Sequence, residues 1–190
     1  VVRAMQQLRF TSEQIVWQEV PGEVSLAFLF SGCPLRCRGC HSADSWKAGL
    51  GSVLTEDYLQ SRLSRYRGLI SCVLFMGGEW LPEPLERLLV AVTRAGLKTC
   101  LYTGLERDEL EAQSGCFIPH LTYLKTGRWM PEQGGLDSPN TNQRFIHVPS
   151  GDVLNHLFIR EAAPAPARKR VIPLVQPGDS AFRSGVLQAA

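Results

Sequence analysis

Three cysteines, Cys33, Cys37 and Cys40, share the loop SGCPLRCRGCHSADSW with the spacing C-x3-C-x2-C. Thiolates bind zinc ions and iron–sulfur clusters, and most such sites use four protein ligands. No fourth cysteine follows in this loop. Because a cubane cluster contains four irons, three cysteines leave one iron able to take an external ligand. The triplet therefore predicts an iron–sulfur cluster with one open corner.

His41 follows Cys40 directly and offers a second interpretation, a zinc ion held by the three cysteines and this histidine. Two adjacent residues would then have to reach the same tetrahedral ion, whereas ligands of structural zinc sites are separated by two or more residues. Gly32, Pro34 and Gly39 permit the tight turns that either site requires. The loop favours the cluster and, taken alone, leaves the zinc site open.

The composition is that of a globular domain: 190 residues, of which 44% are hydrophobic and 20% charged. The formal net charge of +2 gives no reason to expect nucleic acid or membrane as a partner. The sequence contains no apolar run of about 18 residues and no signal-peptide pattern at its start. Half of the six cysteines crowd into one loop, so we expect a reduced, cytoplasmic metal site rather than a disulfide scaffold.

Apolar runs and helical patterns alternate along the chain. Buried strands are predicted at 24–30, 69–75, 97–102, 121–125 and 143–148. Helices are predicted at 55–66 with Thr55 as N-cap, at 84–95 between Pro84 and Gly96, and at 106–113. Strands separated by helices indicate right-handed βαβ units and a parallel sheet, which binds ligands at its carboxyl edge.

Polar and glycine-rich segments come directly after the predicted strands, so we expect them to meet at this edge. In chain order they are the cysteine loop, Gly77-Gly78-Glu79, Thr103-Gly104 and the segment TGRW. Cys72 and Cys100 lie inside apolar runs and are predicted to be core residues. Lys125 and Arg128 are interpreted as surface charges.

The composition changes at about residue 161, where EAAPAPARKRV is rich in proline, alanine and arginine and has no periodicity. We therefore predict one domain over 1–160, followed by an irregular and loosely packed tail over 161–190.

The cysteine triplet after one strand and Gly77-Gly78-Glu79 after a later one resemble the radical S-adenosylmethionine (radical SAM) superfamily. This resemblance implies that Cys33, Cys37 and Cys40 hold a [4Fe-4S] cluster whose open iron binds the amino and carboxylate groups of S-adenosyl-L-methionine. It also implies that the glycine-rich segment contacts the ammonium group. The chemistry is suitable, because glycines let the backbone approach a ligand and a carboxylate is a charge-assisted acceptor.

Longer segments resemble the glycyl-radical activases of anaerobic ribonucleoside-triphosphate reductase. The likeness runs from about residue 10 to residue 150 and is carried by PGEVSLAFLFSGCP, HSADSW, LYTG, YLKTGRW and GGLDSPNTNQRF. Many radical SAM proteins have an aromatic residue before the third cysteine, where this chain has Gly39. His41 is therefore a candidate to stack on the adenine, or else a loop residue bonded to its own backbone.

Two further motifs are candidates for cofactor binding by this resemblance. Thr103 and Gly104 either contact the cofactor or only end a strand. Asn142, Gln143 and Arg144 either bind the cofactor, order a loop or face a partner, since their side chains carry many hydrogen-bond donors.

The resemblance implies an α/β fold: a partial (βα) barrel of about five to six mostly parallel strands, too few for a closed eight-stranded barrel. Its open side would admit a large partner, the anaerobic ribonucleoside-triphosphate reductase. The implied reaction cleaves S-adenosylmethionine reductively, and the adenosyl radical takes a hydrogen atom from a glycine of the reductase. No side chain is expected to act as general acid or base. Electrons are expected from a flavodoxin or ferredoxin.

Two alternatives remain from the sequence. One is a radical SAM enzyme that acts on a small molecule, of the carboxy-deazaguanine synthase type, which would need a magnesium site and further polar groups. No additional carboxylate cluster accompanies the motifs. The other is a zinc-binding interaction module without catalysis.

Overall fold

The computed structural model describes residues 6–159, without the side chains of residues 114 and 115. Eight strands form one sheet: β1 Arg9–Val16, β2 Ser25–Phe30, β3 Ser52–Val53, β4 Cys72–Met76, β5 Lys98–Tyr102, β6 Tyr123–Thr126, β7 Arg144–His147 and β8 Asp152–Val153. The α-helices are α1 Glu56–Arg65, α2 Pro82–Arg94 and α3 Arg107–Ser114. The predicted tail 161–190 lies outside the described residues, so the boundary near residue 160 stays a prediction.

The strand order is β3-β1-β2-β4-β5-β6-β7-β8. The central strands β2, β4, β5 and β6 are parallel, whereas the pairs β1–β2, β1–β3, β6–β7 and β7–β8 are antiparallel. The α/β class is confirmed, but the prediction of five to six mostly parallel strands is wrong. Curvature into a partial barrel stays a prediction.

The connections explain why the sheet is mixed. A parallel pair needs a crossover, which is usually a helix, whereas an antiparallel pair needs only a turn or loop. The segment between β6 and β7 contains no helix, so the chain returns antiparallel at β7. β1 was not predicted, because its sequence RFTSEQIV carries many polar residues and is mostly half-buried or exposed.

The two longer helices follow their predicted patterns. The Thr55 hydroxyl caps α1 by accepting a hydrogen bond from the Tyr58 backbone N–H at 3.1 Å. The buried face of α2 contains the predicted Leu85, Leu88, Leu89 and Val92. Helix α2 begins two residues before the predicted start, because Pro82 also suits the first turn.

The sheet has a buried cluster on each face. One face packs Phe28, Phe75 and Leu101 against α1 and α2. The opposite face contains Leu74, Phe145 and the two cysteines Cys72 and Cys100, which are fully buried as predicted. Burial raises the pKa of the Cys72 thiol to about 12 and that of Cys100 well above its usual value, as expected for inert core cysteines.

The parallel strands place one residue each in a row near their carboxyl ends. Leu29 pairs with Met76, Met76 with Tyr102, and Tyr102 with Lys125. The segments that follow these strands leave the sheet together, as the sequence predicted. Within residues 6–159, no helix is long and apolar enough to cross a membrane.

Candidate functional site

A cavity of about 350 Å³ lies at this carboxyl edge, between the cysteine loop and the ends of the parallel strands. The row of Leu29, Met76, Tyr102 and Lys125 contributes to its wall. Most of the predicted site residues line it together: Cys33, Cys37, Cys40, His41, Gly77, Glu79, Thr103, Gly104 and Gln143. Gly78, Asn142 and Arg144 are not among the lining residues.

The cysteine loop presents its three thiols to the cavity, and all three are half-buried. The backbone N–H groups of Leu35 and Arg36 donate to the sulfur of Cys33, and the Ser42 N–H donates to Cys40 Sγ at 3.4 Å. Burial raises the pKa of the Cys33 thiol, and the two backbone hydrogen bonds oppose this rise. Hydrogen bonds of this kind stabilise thiolates that ligate iron.

The donor set fits an iron–sulfur cluster better than a zinc ion. Cys33, Cys37 and Cys40 line one shared cavity, which suits the separate corners of a cubane. His41 does not complete a tetrahedral set: its ring packs against Trp129, with the ring centroids 4.6 Å apart.

Glu79 is the buried carboxylate of the site, with 5% of its surface exposed. Its Oε1 accepts a hydrogen bond from the Thr103 hydroxyl at 2.7 Å, while Oε2 is buried and has no partner among the described residues. Burial raises the pKa of the Glu79 carboxyl, and the Thr103 hydrogen bond lowers it in part. An unpartnered carboxylate oxygen is costly unless a donor binds it, so it fits a cationic ligand.

The two glycines before Glu79 are required by shape. Gly77 has φ +84°, and a Cβ there would lie 2.6 Å from the Trp80 ring. Gly78 has φ +101°, and a Cβ there would lie 2.8 Å from the Phe30 ring. Gly78 therefore allows the segment to pack against the Phe30 ring, whereas Gly77 and Glu79 line the cavity.

Lys125 contradicts its interpretation as a surface charge. Its side chain lines the cavity, and its ammonium group donates to the Gly127 carbonyl at 3.0 Å. Burial lowers its pKa to about 8, and the nearby Cys37, Glu106, Cys40 and Glu79 oppose this shift. No local sequence pattern indicated this burial, because it depends on the register of β6 against β5. Arg128 is partly exposed and pairs with Glu109 at 2.9 and 3.0 Å.

Trp129 was missed as a site residue, although the segment that contains it was singled out. It lines the cavity, contacts His41 and packs close to Gly39, where a Cβ would lie 3.5 Å from its Nε1 and 3.1 Å from Pro131. The absence of a side chain at Gly39 thus lets the segment after β6 pack on the cysteine loop. This contact joins residues distant in sequence, so no local pattern could reveal it.

The fold places the three residues Asn142, Gln143 and Arg144 in different environments. Gln143 is buried and lines the cavity. Asn142 donates from Nδ2 to the Arg128 carbonyl at 3.0 Å and so holds the segment that carries Trp129. Arg144 is exposed on β7, opposite Thr126.

Three thiols and a buried carboxylate around one cavity at the edge of an α/β sheet are compatible with an iron–sulfur protein, and comparisons with known proteins support that class. The family model described as "4Fe-4S single cluster domain" matches residues 20–135. The anaerobic ribonucleoside-triphosphate reductase-activating protein of Haemophilus influenzae is 31% identical over 126 residues, which cover 60% of this chain and 80% of that protein. The pyruvate formate-lyase-activating enzyme of Clostridium pasteurianum is 36% identical over 90 residues, which cover 44% of this chain but only 37% of that enzyme.

The chain therefore belongs to the 4Fe-4S single cluster domain family and, within the radical SAM superfamily, to the glycyl-radical activases. The resemblance that the cysteine and glycine motifs indicated is confirmed. The comparisons support an activating enzyme with a [4Fe-4S] cluster.

Proposed function

We propose that this protein uses S-adenosylmethionine to generate a glycyl radical on an anaerobic ribonucleoside-triphosphate reductase. The observation that carries the proposal is one cavity that combines three half-buried thiols with a buried carboxylate whose Oε2 has no partner among the described residues. The choice of target is supported by the Haemophilus influenzae protein, whose name states that activity and of which the chain covers 80%.

In this proposal Cys33, Cys37 and Cys40 hold the cluster. When bound, the cluster would supply the single electron for reductive cleavage of S-adenosylmethionine, the chemistry that would allow a hydrogen atom to be removed from a glycine of the reductase. The chain's residues bind and orient the participants, and none is needed as general acid or base. The backbone N–H groups directed at Cys33 and Cys40 stabilise their thiolates.

Glu79 binds the ammonium group of the methionine part through its free Oε2. Thr103 fixes the carboxylate: its hydroxyl donates to Glu79 Oε1 and accepts from the Leu105 N–H at 3.0 Å. Because that N–H occupies the hydroxyl as an acceptor, the hydroxyl proton stays directed at Glu79. Gly77 and Gly104 line the cavity, and Gly104 lets Leu35 pack beside it, since a Cβ at Gly104 would lie 2.5 Å from the Leu35 side chain.

The remaining candidates take different roles in the proposal. Gln143 and His41 line the cavity and contact the nucleoside part. Asn142 orders the segment after β6, and exposed Arg144 faces the partner. We expect a flavodoxin or ferredoxin to supply the electron in the cytoplasm, and the sheet to be open on one side like a partial barrel, so that a glycine loop of the reductase can enter.

The test is anaerobic reconstitution with iron and sulfide, followed by S-adenosylmethionine, a reductant and the candidate reductase. We expect 5′-deoxyadenosine, methionine and a glycyl radical signal that requires the reductase. Replacing Cys33, Cys37 or Cys40 with alanine should abolish the cluster absorbance and the cleavage. Efficient turnover with no reductase would instead support a small-molecule enzyme, and one zinc per colourless chain would support the interaction module.

A further inference from the structure

Lys125 is the one lysine or arginine among the described residues that line the cavity. It ends the row that crosses the parallel strands, beside Tyr102 of β5. Its ammonium group interacts electrostatically with Cys37, Glu106, Cys40 and Glu79, so its charge acts on two of the three proposed cluster ligands.

Among the described residues, no carboxylate lies within ion-pair distance of the Lys125 ammonium group, although Glu106 and Glu79 act on it at longer range. In that part of the chain, the ammonium group donates one hydrogen bond, to the Gly127 carbonyl. A lysine ammonium has three donors, so two remain. A buried charge of this kind requires compensation, which these more distant groups provide only in part, so an anion in the cavity would stabilise it further.

Three other cations lie in the cysteine loop or beside the cavity, and each is exposed or paired; Arg36, between the first two cysteines of the loop, is exposed. Arg38 lies in the cysteine loop, but 89% of its side chain is exposed and it approaches Glu132 only at 4.0 Å. Arg128 forms its two-pronged pair with Glu109. Exposed charges act weakly through water and salt, whereas a buried charge acts through a medium of lower dielectric constant. Lys125 therefore has the strongest influence on whatever anion occupies the cavity.

We propose that Lys125 is the counter-charge of the [4Fe-4S] cluster and raises its reduction potential. Reduction adds one negative charge to the cluster, so a fixed cation stabilises the reduced form more than the oxidised form. The side chain thereby makes the cluster easier for an external donor to reduce. This inference needs the cluster, which follows from the family, and does not depend on the proposed reductase target.

The test compares Lys125→Met and Lys125→Arg with the wild-type protein, all reconstituted anaerobically and matched in iron and sulfide content. Arg38→Gln is the control, because it removes an exposed charge from the cysteine loop itself. The midpoint potential is measured by a redox titration followed by electron paramagnetic resonance, without S-adenosylmethionine. We expect Lys125→Met to shift the potential to more negative values, and Lys125→Arg and Arg38→Gln to remain near the wild type.

An unchanged potential in Lys125→Met would overturn the proposal, as would an equal shift in Arg38→Gln. If Lys125→Met folds but takes up no cluster, the arginine variant decides: cluster uptake at a near wild-type potential supports the charge role, and failure of Lys125→Arg contradicts it. Weaker binding of S-adenosylmethionine at an unchanged potential would assign Lys125 to the nucleoside. That result would overturn this inference and leave the proposed function intact.

Discussion

At the scale of single residues, the site depends on how one buried carboxylate is held. Glu79 has one oxygen bonded to Thr103 and one without a partner among the described residues. Replacing Thr103 with valine should weaken S-adenosylmethionine binding about tenfold or more, because a hydrogen bond to a charged group contributes about 1.5–3 kcal/mol. Equilibrium binding to the reconstituted protein measures the loss. Thr103→Ser keeps the hydroxyl and should bind nearly as the wild type; equal losses in both variants would contradict this role.

The pH dependence of the same binding follows from Glu79. Burial raises the pKa of its carboxyl, and the Thr103 hydrogen bond lowers it. Only the ionised form attracts an ammonium group, so affinity should fall as the pH drops through this raised pKa. In Thr103→Val the pKa rises further, and the fall should begin at a higher pH. Titrating the dissociation constant against pH checks this shift; identical profiles for the two proteins would refute it.

Lys125 should destabilise the protein when the cluster is absent. Its pKa falls from a usual value of 10.5 to about 8. Between these values the unfolded state binds more protons than the folded state, so stability rises with pH across this window. Lys125→Met apoprotein should therefore be more stable than the wild type at pH 7, by about 3 kcal/mol at most.

Urea unfolding of both apoproteins between about pH 7 and pH 10.5 measures this difference. Comparing the two proteins removes the contributions of other groups that titrate in both. We expect the advantage of Lys125→Met to shrink steadily as the pH rises. A difference that does not change with pH would show that the lysine is not buried as a charge.

At the scale of elements, the strand ends and the segments after them position the site, and Gly77 tests this arrangement. Gly77→Ala should cost about 1–2 kcal/mol for its positive φ and more for displacing Trp80, and it should weaken S-adenosylmethionine binding. Gly68→Ala is the matched control, since Gly68 has φ +76° with open space around its Cβ position. Urea unfolding and ligand binding should show a larger loss for Gly77→Ala. Equal losses would mean that contact with Trp80 is unimportant.

Elements were predictable where a local pattern determines them. The apolar runs of β2, β4 and β5 and the apolar face of α2 are visible in the sequence, as is the cap at Thr55. β1 was not predicted because its many polar residues interrupt the apolar pattern by which a strand is recognised. The antiparallel direction of β7 depends on a connection from β6 that contains no helix. The three cysteines and Glu79 were predicted from the C-x3-C-x2-C spacing and from motifs that follow strands, and the structure places all four at one cavity; their roles stay predictions. Lys125 and Trp129 required strand register and packing between distant segments.

At the scale of the whole molecule, the family assignment and the geometry support the same account. The match over residues 20–135 covers the cysteine loop, the glycine segment and β4 to β6. These are the parts that surround the cavity, apart from Gln143, which lies just beyond the match. The central claim is that the three cysteines leave one iron of the cluster free for S-adenosylmethionine.

The most direct measurement is Mössbauer spectroscopy of protein reconstituted with iron-57, before and after S-adenosylmethionine is added. We predict that one of the four iron sites changes its spectrum on addition, while the other three, held by Cys33, Cys37 and Cys40, do not. A spectrum in which no iron site responds to S-adenosylmethionine would contradict the account.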